Sequence, residues 1–263
     1  MFNKFADKII VGAGIIQKMK NWPEYIKDYL KQESGEVAYH MRNGSAYVLR
    51  AGSSDRNVFT DIVIREIYTP PGFEIKKGDV VLDIGAHAGL FSLFASQNAG
   101  KVYSFEPEPR NFAILTKNAA DKANIVTFQK GMSGTSGSGD LFLHHSKDFH
   151  SFHQNFLGKR TEKITVETLS LQDFFSKNNI QRIDFAKIDC EGHEYDILFN
   201  CPSELLKKIK KISMECHVIN SDNPHYSVNG MKEFLEKNNF NVTVAPMYGS
   251  FDPIAMIYAA LKA

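Results

Sequence analysis

The sequence predicts an α/β fold with a mostly parallel sheet of about seven strands, helices on both faces and an antiparallel C-terminal strand. From Gly78 onward, short apolar runs alternate with amphipathic segments, which is typical of a doubly wound sheet. The last two apolar runs, 242–245 and 254–260, are too close in sequence for a crossover helix, so we expect them to pair antiparallel. A chain of 263 residues has room for one large domain.

Residues 1–50 predict a helical extension followed by a hairpin, and residues 51–263 predict the main domain. Apolar positions between 9 and 29 repeat close to helical spacing, with breaks near Gly12, Gly14 and Pro23 that predict two short helices. The run 46–49 favours a strand of the hairpin. Apolar positions between 58 and 67 repeat like the buried stripe of a helix.

Five further apolar runs predict buried strands at 80–84, 102–105, 125–128, 183–188 and 212–214. Helices are predicted to begin near Leu90, Pro109, Leu171 and Met231. Ser170 and Asp173 fit a capping box for the third of these helices. A glycine- and serine-rich turn at 131–139 and a short strand at 141–143 lie in between.

Composition indicates an ordinary globular protein, because 43% of the residues are hydrophobic and 23% are charged. A formal net charge of +1 provides no basic field, so no nucleic-acid partner is expected. The three cysteines form no CxxC pair, which favours a reducing, cytoplasmic location over a secreted disulfide framework. The apolar run 9–16 is too short to insert stably in a bilayer and lacks a clean signal-peptide cleavage site. The oligomeric state is not predicted.

Residues 83–89 read Asp-Ile-Gly-Ala-His-Ala-Gly and connect a predicted strand to a predicted helix, which is the context of a nucleotide-binding glycine turn. Gly85 would allow a tight turn and a close backbone approach, and Gly89 would let the helix pack on the strand. Glu106 ends the next strand, 21 residues after Gly85. Its carboxylate could accept both hydroxyl hydrogens of a ribose, so these features predict a nucleoside ligand.

This turn departs from the dinucleotide pattern G-x-G-x-x-G, because His87 stands where the middle glycine would be. A pyrophosphate needs that close approach, so the departure favours a cofactor without phosphates. Gly12 and Gly14 imitate the start of the same pattern, but no strand with a terminal acid follows, and a helix surface is the better interpretation. An NAD-type oxidoreductase and a non-catalytic nucleotide-binding module of the same fold remain alternatives.

Four stretches resemble the FkbM family of S-adenosylmethionine-dependent methyltransferases, and the resemblance runs from about Arg50 to the C-terminus. They are SSDRNVF at 53–59, VLDIGAHAGLFS at 81–92, FEP at 105–107 and KIDCEGHE at 187–194. The last is the most specific, because a lysine, several acids and a glycine rarely coincide at a strand terminus. The resemblance implies a Rossmann-like class I methyltransferase sheet, S-adenosyl-L-methionine as cofactor, and methylation of a hydroxyl on a small acceptor such as a sugar or natural product.

The resemblance also implies that the cofactor contacts Asp55, Asp83, Gly85, His87, Gly89, Glu106, Met132 and Asp189. A carboxylate at Asp83 would suit the cationic methionine portion of the cofactor, directly or through water. His87 replaces the asparagine that is usual at its position. The stretch 130–132 lacks the acid that many methyltransferases place against the adenine amino group, so we expect backbone and Met132 to hold the adenine.

Methyl transfer to an aliphatic hydroxyl needs an aligned acceptor oxygen and benefits from a base that takes its proton. The candidates follow two predicted strands at the edge where ligands bind, and they are Asp189, Glu191, Glu215 and His217. We expect Asp189, Glu215 and His217 to be catalytic. His217 is the first choice for the base, since its intrinsic pKa is nearest neutrality, and Asp189 could position the hydroxyl.

The leading expectation is that no metal is bound, with two metal sites as alternatives. A zinc site would use Cys190, His193, Cys216 and His217. Neighbouring strand residues point to opposite faces, so these four side chains would rarely converge. A Mg²⁺ ion that activates a diol would use Asp189, Glu191 and Glu215, because hard cations prefer carboxylate oxygens.

Histidine and phenylalanine crowd one predicted loop, at His144, His145, Phe149, His150, Phe152, His153 and Phe156. A polar, partly exposed hairpin is the plainer interpretation. The functional alternative is a lid whose imidazoles and aromatic rings contact the acceptor.

Overall fold

The structure is a computed structural model that describes residues 4–143, 150–153, 162–219, 223–246 and 254–262. Its strands are β1 (Glu36–His40), β2 (Ala46–Arg50), β3 (Val80–Ile84), β4 (Lys101–Phe105), β5 (Ile125–Phe128), β6 (Gly131–Ser133), β7 (Gly137–Phe142), β8 (Lys163–Ser170), β9 (Phe185–Ile188), β10 (Lys211–His217), β11 (Phe240–Pro246) and β12 (Ile254–Leu261). Its helices are α1 (Lys4–Lys18), α2 (Trp22–Tyr29), α3 (Asp55–Phe59), α4 (Leu90–Ser96), α5 (Pro109–Ala119), α6 (Leu171–Lys177), α7 (Glu194–Phe199), α8 (Ser203–Leu206) and α9 (Val228–Lys237), and a π-helical segment, Thr60–Ile64, continues α3.

The central sheet has seven strands in the order β11-β12-β10-β9-β3-β4-β5. The five strands from β10 to β5 are parallel, whereas β12 runs antiparallel to both β10 and β11. This arrangement confirms the predicted fold class, including the reversed strands at the C-terminus. Ile84 pairs with both Phe105 and Ile188, so β3, β4 and β9 end side by side at one edge of the sheet.

The two faces of the sheet carry separate hydrophobic clusters because successive strand residues point to opposite sides. Leu82 packs with Phe174 of α6 and Leu198 of α7 on one face. Val81 packs with Phe59 and Phe91 on the other face, together with the β1–β2 hairpin and the N-terminal helices. The extension therefore shares a core with the main sheet, and the boundary at residue 50 stays a prediction.

The expected helix break near Gly12 and Gly14 is wrong, because α1 continues through both glycines. Ile15 and Met19 anchor this helix in the core. A Cβ at Gly14 would lie 2.8 Å from Ile64 Cγ2, so the glycine lets α1 approach the π-helical segment closely. The break at Pro23 is confirmed, since this proline lies in the first turn of α2. No helix among the described residues is long and apolar enough to cross a bilayer.

A second sheet of three strands, in the order β6-β8-β7, follows β5. The turn predicted at 131–139 instead contains β6 and the beginning of β7, and β8 was not predicted at all. Three of the eight residues of β8 are exposed, and apolar and polar residues do not alternate regularly along it, so its sequence pattern is a weak signal for a strand. Ser170 caps α6 as predicted, because its Oγ accepts a hydrogen bond of 3.1 Å from the Asp173 backbone N–H. The reciprocal half of the capping box is replaced, since the Ser170 N–H donates to Ser136 Oγ at 3.0 Å and not to Asp173.

Candidate active site

A cleft opens to solvent where β3, β4 and β9 end. Its wall includes the glycine turn after β3, Glu106 after β4 and Asp189 after β9. The three segments that sequence analysis singled out therefore meet at one place, as the parallel register requires.

The glycine turn is forced by backbone packing. Gly85 has a φ of +74°, and a Cβ at this position would lie 1.7 Å from the Asp189 carbonyl oxygen. Only glycine tolerates both the conformation and the contact. Gly89 has a φ of +78°, and a Cβ added here would lie 2.5 Å from Leu115 Cδ1. The glycine therefore lets α5 pack closely against this turn, whereas we had expected close packing on the strand.

Glu106 is buried at the tip of β4, with 6% of its surface exposed. One carboxylate oxygen accepts the His87 N–H at 2.8 Å and the other accepts the Glu108 N–H at 2.9 Å. Burial raises the pKa of Glu106 to about 7, although these two N–H donors oppose the rise. A carboxylate offers about four lone-pair positions, so it can still accept two hydroxyl donors from the cleft.

Asp55 lies behind the wall of the cleft rather than in it. It is fully buried, and Arg50 donates to its two oxygens at 2.7 and 3.0 Å. The same guanidinium lies 2.9 Å from His87 Nε2 and donates to Asn111 at 2.8 Å. Asp55 therefore acts on the cleft through Arg50 and His87, and a direct cofactor contact stays a prediction.

Lys187 connects two of the predicted acids and was not itself predicted as a site residue. Its Nζ lies 3.5 Å from Asp83 and 3.6 Å from Asp189, and it donates to the Gly85 carbonyl at 2.7 Å. Burial opposes its charge, but the two carboxylates raise its pKa, so the cation is retained. Asp83 also accepts a 2.6 Å hydrogen bond from Ser92. Asp83 is fully buried and does not line the cleft, so its cofactor contact stays a prediction.

The hydroxyl of Tyr68 lies between Asp189 and Glu215, at 3.0 Å from the first carboxylate and 2.6 Å from the second. One hydroxyl has one hydrogen, so two short contacts with carboxyl oxygens require a further proton on one carboxyl group. Burial and the charge of Asp189 raise the pKa of Glu215 to about 8, against the influence of His217 and Tyr68. Glu215 therefore carries that proton at neutral pH.

His217 lies at the end of β10 with Glu215, on the same side of the strand as predicted. Its Nδ1 donates to Glu194 at 2.5 Å, and its Nε2 lies 3.7 Å from Glu191. Burial by itself would lower the pKa of this imidazole, but the carboxylates of Glu194, Glu191 and Asp189 raise it to about 10. The ring is therefore a cation at neutral pH, which does not suit the base that we expected.

The ligand atoms of Asp189, Glu215 and His217 lie within 4.8 Å of one another, a spacing that could hold a metal ion. This group differs from the predicted magnesium set, in which Glu191 stood in place of His217. The predicted zinc set is not brought together in the described residues, because Cys216 points into the core and contacts the Tyr195 hydroxyl at 3.3 Å.

Residues 150–153 pack along the rim of the cleft. Ser151 is fully buried and donates to the Glu191 carbonyl at 2.6 Å. Phe152 lines the cleft opposite Met132 and stacks on His193 at 4.5 Å between ring centroids. The remaining aromatic and imidazole residues of the predicted loop, His144, His145, Phe149 and Phe156, lie outside the described residues. A lid role for this segment stays a prediction.

Sequence analysis missed Tyr68 and Lys187 as functional residues for different reasons. Tyr68 lies in a turn after the π-helical segment, 121 positions before Asp189, and nothing in its neighbourhood indicates a polar contact. Lys187 belongs to the motif at 187–194, but the sequence does not show to which side of the strand its side chain points. A charged residue in an otherwise apolar strand was the available signal.

The order of the sheet, with its reversed terminal strands and its ligand cleft after β3, defines a class I methyltransferase fold. The fibrillarin pre-rRNA processing protein of Methanococcus jannaschii has a similar structure, with a TM-score of 0.50 over 87% of this chain and 83% of that one, at 16% identity. At this identity the similarity concerns the fold alone. The family model of the methyltransferase FkbM domain matches residues 83–242. The chain therefore belongs to the FkbM methyltransferase family, which confirms the resemblance.

Two relatives of known name illustrate the range of the family. The 31-O-demethyl-FK506 methyltransferase FkbM of Streptomyces tacrolimicus is 26% identical over 226 residues, which cover 73% of this chain and 82% of the relative. The hexuronic acid methyltransferase AglP of Haloferax volcanii is 27% identical over 152 residues, or 55% of this chain. The match spans 58% of the length of AglP.

Proposed function

We propose that this protein transfers the methyl group of S-adenosyl-L-methionine to a hydroxyl group of a small acceptor, such as a sugar or another natural product. The observation that carries the proposal is the Tyr68–Asp189–Glu215 cluster beside the glycine turn. It offers a base that faces the cleft and a half-buried carboxyl group behind it that can take up a proton when it is ionised. The names of the two relatives, a 31-O-demethyl-FK506 methyltransferase and a hexuronic acid methyltransferase, support this substrate class.

The residues of the cleft fit this cofactor. Glu106 would accept the two ribose hydroxyls, and Met132 and Phe152 would form apolar walls for the adenine. The carboxylate of Asp189 would favour a cation at the end of β9. When bound, S-adenosylmethionine supplies an electrophilic methyl group on a positively charged sulfur. A dinucleotide would find no middle glycine at position 87, where His87 stands, which argues against the NAD alternative.

Asp189 is our choice for the base, because it lines the cleft and its side chain is 27% exposed. When an acceptor is methylated, Asp189 would take up its hydroxyl proton. Where Glu215 is ionised, above its pKa of about 8, Tyr68 can move a proton onward to it, giving up its own hydrogen as it gains one. Lys187 lies 3.6 Å from the same Asp189 oxygen that Tyr68 contacts and helps to hold it in place.

His217 takes a different role from the one expected from the sequence. As an imidazolium held by Glu194, it offsets the negative charge of Glu215 and keeps the pKa of that carboxyl from rising further. His217 is therefore a positioning residue in this proposal. Its effect on the reaction passes through Glu215.

Labelled S-adenosylmethionine and a panel of alcohols test the proposal. The panel contains neutral sugars, sugar acids and macrolide alcohols, and the expected product is a methyl ether. Asp189→Asn should lower kcat by about two to four orders of magnitude, a larger effect than its loss of S-adenosylhomocysteine affinity. Asp173→Asn is a matched control, because this exposed acid pairs with Lys177 far from the cleft.

Other outcomes separate the alternatives. Methylation of nitrogen or of RNA, with no ether product, would reject the hydroxyl acceptor but keep the cofactor. Binding of NAD in place of S-adenosylhomocysteine would support the oxidoreductase. Cofactor binding without turnover on any member of the panel would support a non-catalytic module.

A further inference from the structure

The outer faces of α1 and α2 are apolar, although the solvent-facing side of a helix is normally polar. Of the eight exposed large hydrophobic residues in the described part of the chain, seven lie in or next to these two helices: Ile9, Ile10, Ile16, Trp22, Ile26, Tyr29 and Leu30. Ile9, Ala13 and Ile16 follow helical spacing and form one stripe. We call these residues the N-terminal apolar face.

This apolar face is additional to the buried side of the same helices. Ile15 of α1, Met19 just after it and Tyr25 of α2 already pack in the core, with 8% or less of their surfaces exposed. The exposed fractions of Ile9, Ile10 and Ile16 are 57%, 65% and 53%. A helix that is apolar on both sides needs a second apolar environment.

The charges around the face are mostly positive. Lys8, Lys20 and Lys31 are exposed, and no ion-pair partner is described for any of them. The nearby acids are largely engaged, since Asp7 pairs with Arg65, Glu24 pairs with Lys27 and Asp28 accepts the Tyr39 hydroxyl. Among the described residues up to position 35, Glu33 is then the one acidic residue left to balance the charge of these three lysines.

We propose that the N-terminal apolar face binds peripherally to the surface of an anionic lipid bilayer. Isoleucine stripes with tryptophan, tyrosine and flanking lysines are the composition of interfacial helices, in which apolar side chains enter the headgroup boundary and lysines meet anionic lipids. A second copy of the chain fits less well. A twofold interface would place these lysines against their own counterparts, with few carboxylates to pair them.

The face lies one helix away from the active-site cleft. The guanidinium of Arg56 in α3 lies 5.1 Å from the ring centroid of Tyr29 and donates to the Asp28 carbonyl. Ser54 and Val58, next to Arg56 in the chain, line the cleft. Bilayer binding would therefore place the cleft close to the lipid surface, whichever acceptor it serves.

Trp22 is the only tryptophan of the chain, so its fluorescence reports on this face directly. With the full chain and vesicles of phosphatidylcholine plus phosphatidylglycerol, we expect a blue shift and quenching by bromine-labelled lipid. Pure phosphatidylcholine vesicles should give a much weaker response, and high salt should weaken binding to the anionic vesicles.

Two double variants separate the apolar and charged contributions. Ile9→Ser with Ile16→Ser should lower vesicle partitioning by more than about tenfold. Lys20→Gln with Lys31→Gln should lower it by about fivefold for each lysine on anionic vesicles only. Val244→Ser is the matched control, because Val244 is an exposed hydrophobic residue of β11, outside the face, and should change nothing.

Each variant must keep the circular dichroism spectrum and the S-adenosylhomocysteine affinity of the parent protein, which shows that the fold is intact. Vesicle binding that the Ile9/Ile16 double variant does not weaken would overturn the proposal. So would a lipid-free dimer in which Trp22 is already shielded and which the same substitutions dissociate.

Discussion

Glu106 should make cofactor affinity depend on pH. Its pKa is raised to about 7 by burial, against the lowering influence of the N–H donors of Glu108 and His87. Ribose hydroxyls donate hydrogen bonds, so they bind the ionised carboxylate in preference to the acid. Below pH 7 the free protein must release a proton from Glu106 before it binds. We expect S-adenosylhomocysteine affinity to fall about tenfold per pH unit there and to level off above it.

Glu106→Gln gives the magnitude of the interaction. The substitution keeps one oxygen acceptor but turns an amide NH₂ group toward the backbone N–H of either His87 or Glu108, both of which are donors. Hydrogen bonds from the two ribose hydroxyls to a charged carboxylate would contribute about 1.5–3 kcal/mol each, and an amide with one oxygen acceptor loses one of these bonds and weakens the other. A loss of about 2–4 kcal/mol corresponds to about 30- to 1,000-fold in the dissociation constant.

Isothermal titration calorimetry with S-adenosylhomocysteine measures both effects. Runs at neutral pH and one unit to either side, in buffers of different ionisation enthalpy, also count the protons released on binding. Glu167→Gln is the control, since Glu167 is an exposed residue of β8 whose carboxylate pairs with Lys130. Two results would refute the assignment of Glu106 to the ribose. One is an affinity of the parent protein that does not change over this pH range, and the other is a dissociation constant of the Glu106→Gln variant within threefold of the parent value.

Three further predictions follow from the same contacts. Gly85→Ala should lower the Tm and abolish S-adenosylhomocysteine binding in thermal-shift assays, since its Cβ would collide with the Asp189 carbonyl. Gly12→Ala should stabilise the protein by up to about 1 kcal/mol and so raise the Tm, because alanine favours the helix and its Cβ would meet open space beside α1. A lower Tm would contradict this. Tyr68→Phe removes a hydrogen bond that lowers the pKa of Glu215, so the rising limb of the pH–rate profile should move above pH 8 while cofactor affinity is kept. An unshifted profile would remove Tyr68 from the proton path.

Much of the sheet could be predicted because buried parallel strands are short apolar runs with little else in them. The runs at 80–84 and 102–105 match β3 and β4 closely. The strand β8 could not be found in this way, because it lies in a small sheet with one exposed side and its burial alternates irregularly. The error for α1 is the opposite one. The low helix propensity of glycine predicted a break, but the helix continues through Gly14, where it packs closely on Ile64.

The glycine turn and the two acids after β4 and β9 could be located because a motif of this kind is local in sequence. Its members keep fixed offsets from the strand ends, and the parallel register then brings those ends together. The roles of the acids were harder to predict. Asp55 and Asp83 are similar in type to Asp189, yet Arg50 and Lys187 hold them away from the cleft.

The sequence by itself determined the seven strands of the central sheet, the family and the segments that border the cleft, because these follow from local periodicity and short motifs. Only the tertiary structure decided which groups titrate and in what direction. His217 illustrates the difference: an isolated imidazole would titrate near neutrality, but Glu194, distant by 23 positions, holds it as a cation in the folded protein. Electrostatic energies depend on distance and burial in space, and neither quantity is written in the order of residues along the chain.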